Sequence, residues 1–263
     1  MTMLAACLQG IGLVGPGFDS WPSAARALCG ATAYSAQRTV VPPATTLPPA
    51  ERRRSATTVR LALAAGFEAV THAGLDPASL PSVFASSGGD GENCHEICNT
   101  LASGERALSP TRFHNSVHNA AAGYWGIATG ATRAANVLCA YDGSFAAGLL
   151  EALAQVRVER TPVLLIAYDT SYVEPLRSKR PIPDAFGVAL VLAPAGAPAA
   201  LAGLSAQLTD RPAERMADAR IESLRSSVPA ARSLPLLRRV ALREPGITVL
   251  DYLDPQRLAI EVS

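Results

Sequence analysis

The chain has 263 residues, 49% of them hydrophobic and 17% charged, with a formal net charge of +1. That composition supports a sizeable core and excludes an intrinsically disordered chain. The near-neutral balance gives no electrostatic reason to expect nucleic acid or a membrane surface as a partner. In chain order, Leu4–Val14 is strand-like and runs into Gly15-Pro16-Gly17, a strong turn signal. Trp21–Leu28 reads as a short helix, and the Pro- and Thr-rich stretch 39–49 as a loop. Ser55–Ala73 reads as a helix because Val59, Leu63, Phe67 and Val70 fall on one face, with Gly74 as its stop. Ser82–Ser87 is a short strand that ends in Gly88-Gly89-Asp90-Gly91. Glu92–Leu101 and His118–Thr129 read as helices.

A strand at Asn136–Cys139 leads into a helix from Ser144, striped by Phe145, Leu149, Leu153 and Val156. Val163–Ala167 and Gly187–Leu192 are apolar runs of strand length, which suit strands covered on both faces. Past Pro194 the character changes. Thr209–Arg225 is charged and reads as a helix, 226–245 is rich in arginine and proline, and Thr248–Leu253 and Leu258–Val262 read as strands around Asp254-Pro255. Strands that alternate with helices predict an α/β layered fold.

The cysteines Cys7, Cys29, Cys94, Cys98 and Cys139 are odd in number and irregular in spacing, so reduced thiols in a cytoplasm are expected rather than a disulfide framework. The opening MTMLAACLQGIGLVGPG lacks a basic leader and does not read as a secretory signal. The uncharged run Gly187–Leu204 is broken by Pro194, Gly196, Pro198 and Gly203, so it does not read as a membrane helix. Among the basic residues, 22 are arginine and one is Lys179, an imbalance we read as coding bias.

Several segments in order resemble the N-terminal half of the β-ketoacyl synthases of the thiolase superfamily. They are GIGLVGPGFDSW, LALAAGFEAVTHAGL, FASSGGDGE, LSP followed by Asn119, Ala122 and Gly123, AYDGSFAAGLLEA, and DAFGVALVLAP. The resemblance implies a thiolase-like layered fold, helices on a largely buried mixed sheet. It implies a domain over 1–195 with 196–263 as a C-terminal extension packed on it.

The departures from the family bear on function. Gly143 and Gly148 match glycines of the family's nucleophile helix, and counting back from them places Ala140 where the catalytic cysteine belongs. Cys139 is its neighbour. The stretch between Gly130 and Gly143 is shorter than the family pattern, which leaves room for this placement to move to an adjacent residue. The histidines that complete the family's active site come from a second half that this chain lacks, and His114 and His118 do not match them. A condensation needs a thiolate to hold the acyl group and donors at the developing charge. The resemblance therefore implies a chain-length-factor-like subunit, closest to those of aryl polyene and related pigment systems. Its partners would be a full-length ketosynthase and an acyl carrier protein, with no cofactor and no metal. Phe113, His114, Val117, Tyr124, Tyr141 and Phe145 are the candidates for an acyl tunnel or subunit interface, and each aromatic among them can equally be ordinary core.

Other readings stay open. Cys139 can be a nucleophile, or a small buried residue at a strand end. Ser144, in DGSFAAG, weakly echoes a hydrolase nucleophile turn without the G-x-S-x-G pattern. Either residue would make the chain a stand-alone acyltransferase or thioesterase. Cys94, His95 and Cys98 share a segment, but structural zinc needs four ligands and no second pair is visible. Arg52–Arg54 can dock an acidic carrier or form a solvated run.

Overall fold

In the computed structural model, which describes residues 4–104 and 107–263, a single mixed sheet of eight strands runs through the molecule. The reading of the chain's start as leaderless falls in part on residues 1–3, outside the described residues. The strands are β1 (Leu4–Val14), β2 (Ser82–Ala85), β3 (Ala135–Leu138), β4 (Val163–Asp169), β5 (Phe186–Ala193), β6 (Ala202–Thr209), β7 (Gly246–Asp251) and β8 (Arg257–Val262). The helices are α1 (Trp21–Leu28), α2 (Pro49–Arg54), α3 (Thr57–Ala73), α4 (Gly91–Ala102), α5 (Pro110–Asn115), α6 (Ala120–Thr129), α7 (Ser144–Glu159), α8 (Leu176–Lys179), α9 (Ala219–Ser227) and α10 (Leu234–Leu242).

The strand order is β3-β2-β4-β5-β1-β6-β8-β7. β2 pairs parallel with β3 and β4, and every other pairing is antiparallel. Alternation along the strands sends side chains to two cores. Val163, Leu165 and Ala167 of β4 face a core shared with α7, α1 and α10. Leu164, Ile166 and Tyr168 face the other core, shared with α3 and α6. β4 and β5 are buried at every position, as their unbroken apolar runs predict.

The α3 face is held close to the sheet by glycine. A Cβ at Gly10 would lie 2.2 Å from the Ala69 carbonyl oxygen, and one at Gly12 would lie 2.0 Å from that of Ala65. Residues 4–8 of β1 pair with β6, and beyond them side chains of α3 take over. Glu68 accepts from the backbone N–H of Leu13 (2.8 Å) and of Trp21 (2.6 Å), and His72 Nδ1 accepts from that of Ile11 (3.2 Å). α3 ends at Gly74 in the left-handed conformation that a glycine stop supplies.

In the C-terminal third the two closing strands fall where the sequence places them, as β7 and β8, but the segment before them departs from its reading. Ala202–Thr209 is a strand, 210–218 is irregular, and the helix begins only at Ala219, where Asp218 caps it. Within the arginine- and proline-rich stretch, α10 tolerates Pro235 because it lies in the first turn, where a missing N–H costs nothing. The same placement of proline starts α2 inside the stretch read as loop. β6, β8 and β7 continue the sheet from β1. No helix among the described residues is long and apolar enough to cross a membrane.

Candidate functional site

The turn between β3 and α7 is the centre of interest. β3 lies at one edge of the sheet and its first residues are exposed. Cys139 is therefore exposed, where the sequence also allowed a buried residue, and its thiol donates to the Ser87 carbonyl (3.2 Å). Ala140 has φ −137°, whereas Tyr141 has φ +50°. A bulky residue in the left-handed region is uncommon and is held there by its surroundings. Tyr141, not Ala140, thus occupies the strained position of the strand-to-helix turn, and the residue is 63% exposed.

Ser144, Tyr252 and Arg180 hold the turn. The buried Ser144 hydroxyl donates to the Tyr141 carbonyl (2.7 Å) and accepts from the Ala140 N–H (3.0 Å). Both partners are backbone groups, so this hydroxyl braces the turn. Gly143 lies against the backbone of Tyr252, where a Cβ would come within 2.6 Å of the carbonyl oxygen. The Arg180 guanidinium stacks over the Tyr141 ring at 3.7 Å, a cation–π contact.

Behind the turn runs a chain of alternating charges. Asp142 accepts from Arg180 (2.7 Å) and Arg232 (2.9 Å). Arg232 also reaches Asp251 (3.5 Å), which pairs with Arg225 (2.5 Å), and Arg225 in turn makes a two-point contact with Glu222 at 2.8 Å through each nitrogen. The planar guanidinium fork suits such pairing better than an ammonium does. Burial opposes the charge of Arg180, but the hydrogen bond and attraction of Asp142 outweigh it, and its affinity for the proton rises. Beneath the turn, the fully buried Asp169 accepts from the Ser87 N–H (2.9 Å), the Ser87 hydroxyl (2.6 Å) and the Ala230 N–H (2.8 Å). Burial nevertheless pushes its pKa up to about 6, against the lowering effect of those donors and of Arg180.

The structure does not gather the six tunnel or interface candidates into one pocket. Phe113, Val117 and Tyr141 are exposed. Tyr124 and Phe145 are buried in the two cores on opposite faces of the sheet. His114 is exposed and meets the Tyr124 ring edge-on at 5.8 Å. Cys94 and Cys98 are exposed on α4, and no group of three or more potential metal-ligating side chains occurs among the described residues. Arg52 ties the 39–48 loop through the Thr45 and Leu47 carbonyls. Sequence reasoning missed Arg180, Arg225, Arg232, Asp169 and Asp251. The one signal for them in the sequence is the excess of arginine over lysine.

Residues 23–241 match the family described as "Beta-ketoacyl synthase, N-terminal domain". No curated protein matches the chain by sequence. Among solved structures, the chain is similar to one from a ketosynthase in complex with its chain length factor from Xenorhabdus doucetiae, at 22% identity and a TM-score of 0.74, over 98% of this chain and 99% of that one. It is similar to one from the ishigamide ketosynthase/chain length factor, at 14% identity and a TM-score of 0.71, over 98% and 99% of the two chains. A third likeness is to a structure of a type II polyketide synthase acyl-carrier protein in complex with its ketosynthase bound to the hexaketide, at 11% identity and a TM-score of 0.75, over 100% of this chain and 99% of that one. The fold is thus thiolase-like, and the chain belongs to the beta-ketoacyl synthase N-terminal-domain family.

Proposed function

We propose that this chain is a chain-length-factor-like subunit that does not itself catalyse. It pairs with a catalytic β-ketoacyl synthase and helps set the length of a polyketide, polyene or fatty acyl chain carried on an acyl carrier protein. The observation that carries this reading is the nucleophile turn. Its strained position holds Tyr141, its serine is braced between backbone groups, and its nearest thiol, Cys139, lies before the turn at an edge strand. Similarity to structures solved with a chain length factor or a carrier protein supports the choice of partners. In this reading, 1–195 is the ketosynthase-like domain and 196–263 an extension whose Arg232 reaches Asp142 in the turn.

An open edge at β3 favours pairing, because unpaired N–H and C=O groups there form a template for another strand. Phe113, Val117, Ile127 and Tyr141 add exposed apolar surface from the segments around it. Co-expression with the cognate ketosynthase should give a stable heterodimer that buries about 2,000 Å² or more. A monodisperse monomer that ignores that ketosynthase would refute the pairing. The purified chain alone should not be acylated by a carrier-protein thioester. Stoichiometric acylation that disappears in Cys139→Ser would instead favour a stand-alone acyltransferase.

Phe113 is 63% exposed, so Phe113→Ala should cost the fold less than about 0.5 kcal/mol. Within the heterodimer, removal of a ring that closes the tunnel leaves room for further methylenes, each worth about 0.8 kcal/mol on burial. Mass spectrometry of carrier-bound products should then show longer chains at an unchanged melting temperature. Unchanged lengths would remove Phe113 from the tunnel.

A further inference from the structure

We propose that the cavity at the N-terminus of α3, remote in sequence from the nucleophile turn, is a binding site for a phosphate group. The cavity has a volume of about 380 Å³ and lies among α2, α3, α4 and α5. Arg54, Arg60 and Arg112 line it beside Asp90 and Glu92; Arg54 pairs with Glu51 (3.6 Å) and Arg112 with Glu96 (3.8 Å), which leaves Arg60 as the lining guanidinium without an ion pair among the described residues. The 17-residue helix α3 opens onto it with Ala56 at the N-cap, and no side chain caps its first N–H groups. Such an end carries unsatisfied donors and partial positive charge.

Two independent features point to a ligand. Arg60 makes no ion pair among the described residues, and its Nη2 donates only to the Thr57 hydroxyl (3.0 Å). Its buried Nε has no partner. Asn93, 7% exposed, accepts at Oδ1 from Arg112 (3.5 Å), which leaves its Nδ2 as a second buried donor without an acceptor. Unmet buried donors beside an unneutralised cation call for an oxyanion.

One acceptor narrows the class. Asn115, 4% exposed, donates to the Arg54 carbonyl (2.8 Å), and its buried Oδ1 has no donor. The Asp90 carboxylate, which caps α4 through the Asn93 N–H (3.0 Å), also lines the cavity. A protonated phosphate carries a P–OH that can donate to such acceptors. Sulfate at neutral pH has no proton to give. The site should therefore prefer phosphate.

Calorimetric titration of the full chain with inorganic phosphate, at constant ionic strength, tests this. Saturable one-to-one binding is expected, at least about tenfold tighter than for sulfate, because charged hydrogen bonds are the stronger class. Arg60→Gln should weaken phosphate at least about tenfold while the phosphate-free melting temperature does not fall, since Arg60 has no acidic partner to lose. Asn93→Ala should also weaken binding, and Arg53→Gln, outside the cavity, should not. No saturable binding, equal affinity for sulfate, or phosphate affinity unchanged in both Arg60→Gln and Asn93→Ala would each overturn the assignment.

Discussion

Gly12→Ala should cost about 3 kcal/mol or more, a fall of roughly 6–12 °C in the melting temperature. The added Cβ would lie 2.0 Å from the Ala65 carbonyl oxygen and 2.8 Å from the Ala69 nitrogen. Both are backbone atoms of α3 and cannot rotate away, so the helix must lift. Lifting α3 also pulls Glu68 from the backbone of Leu13 and Trp21. Each N–H so abandoned in the interior adds its own penalty. Gly123→Ala is the contrasting control. Its Cβ would meet nothing within 4 Å, on an exposed position inside α6, and should be neutral or stabilising by up to about 1 kcal/mol. Urea unfolding of both variants checks the pair. A Gly12→Ala protein within 1 kcal/mol of the parent on the order of these estimates would mean that α3 does not rest on β1 at this glycine.

Asp169 should give the protein a component of stability that grows as the pH falls. Its folded pKa of about 6 lies above the ordinary aspartate value near ~3.9, because burial disfavours the charge. The folded state therefore binds this proton more tightly than the unfolded chain does. The contribution is fully present below about pH 4 and is lost as the pH rises through about 6, a change of roughly 2–3 kcal/mol. Other carboxylates give slopes of their own, so the measurement is the difference between the parent and Asp169→Asn across pH 4–8. That difference should shift against the parent by this amount as the pH rises. A flat difference would mean that the donors from Ser87 and Ala230 keep Asp169 ionised throughout.

The local periodic signals carried through to the structure. The stripe from Val59 to Val70 became α3, the stripe from Phe145 to Val156 became α7, and the two apolar runs became the central strands β4 and β5. β6 escaped because its inward positions, such as Leu204 and Ala206, alternate with small or polar residues that resemble loop. α10 escaped because prolines and arginines masked a helix whose Pro235 sits in the first turn. The bracing of the turn between β3 and α7 was not legible at all. Asp142 meets Arg180 and Arg232, and Asp251 meets Arg225, across separations that no spacing rule covers. The positive φ of Tyr141 was equally hidden, because it is set by packing from Tyr252 and Ser144 and not by the turn's own letters.

The place of β1 in the sheet has a consequence for synthesis. Cys7 pairs with Ala193 of β5 and Gly203 of β6, so β1 leaves the ribosome well before both of its neighbours are made. At ~5–20 residues per second the wait is roughly 10–40 s. During it, an apolar strand with open edges is available to other nascent chains. α3 arrives far sooner and seats on Gly10 and Gly12, with Glu68 and His72 on the backbone of β1. The helix thereby serves as the strand's first guardian, shielding one face until its neighbours are made.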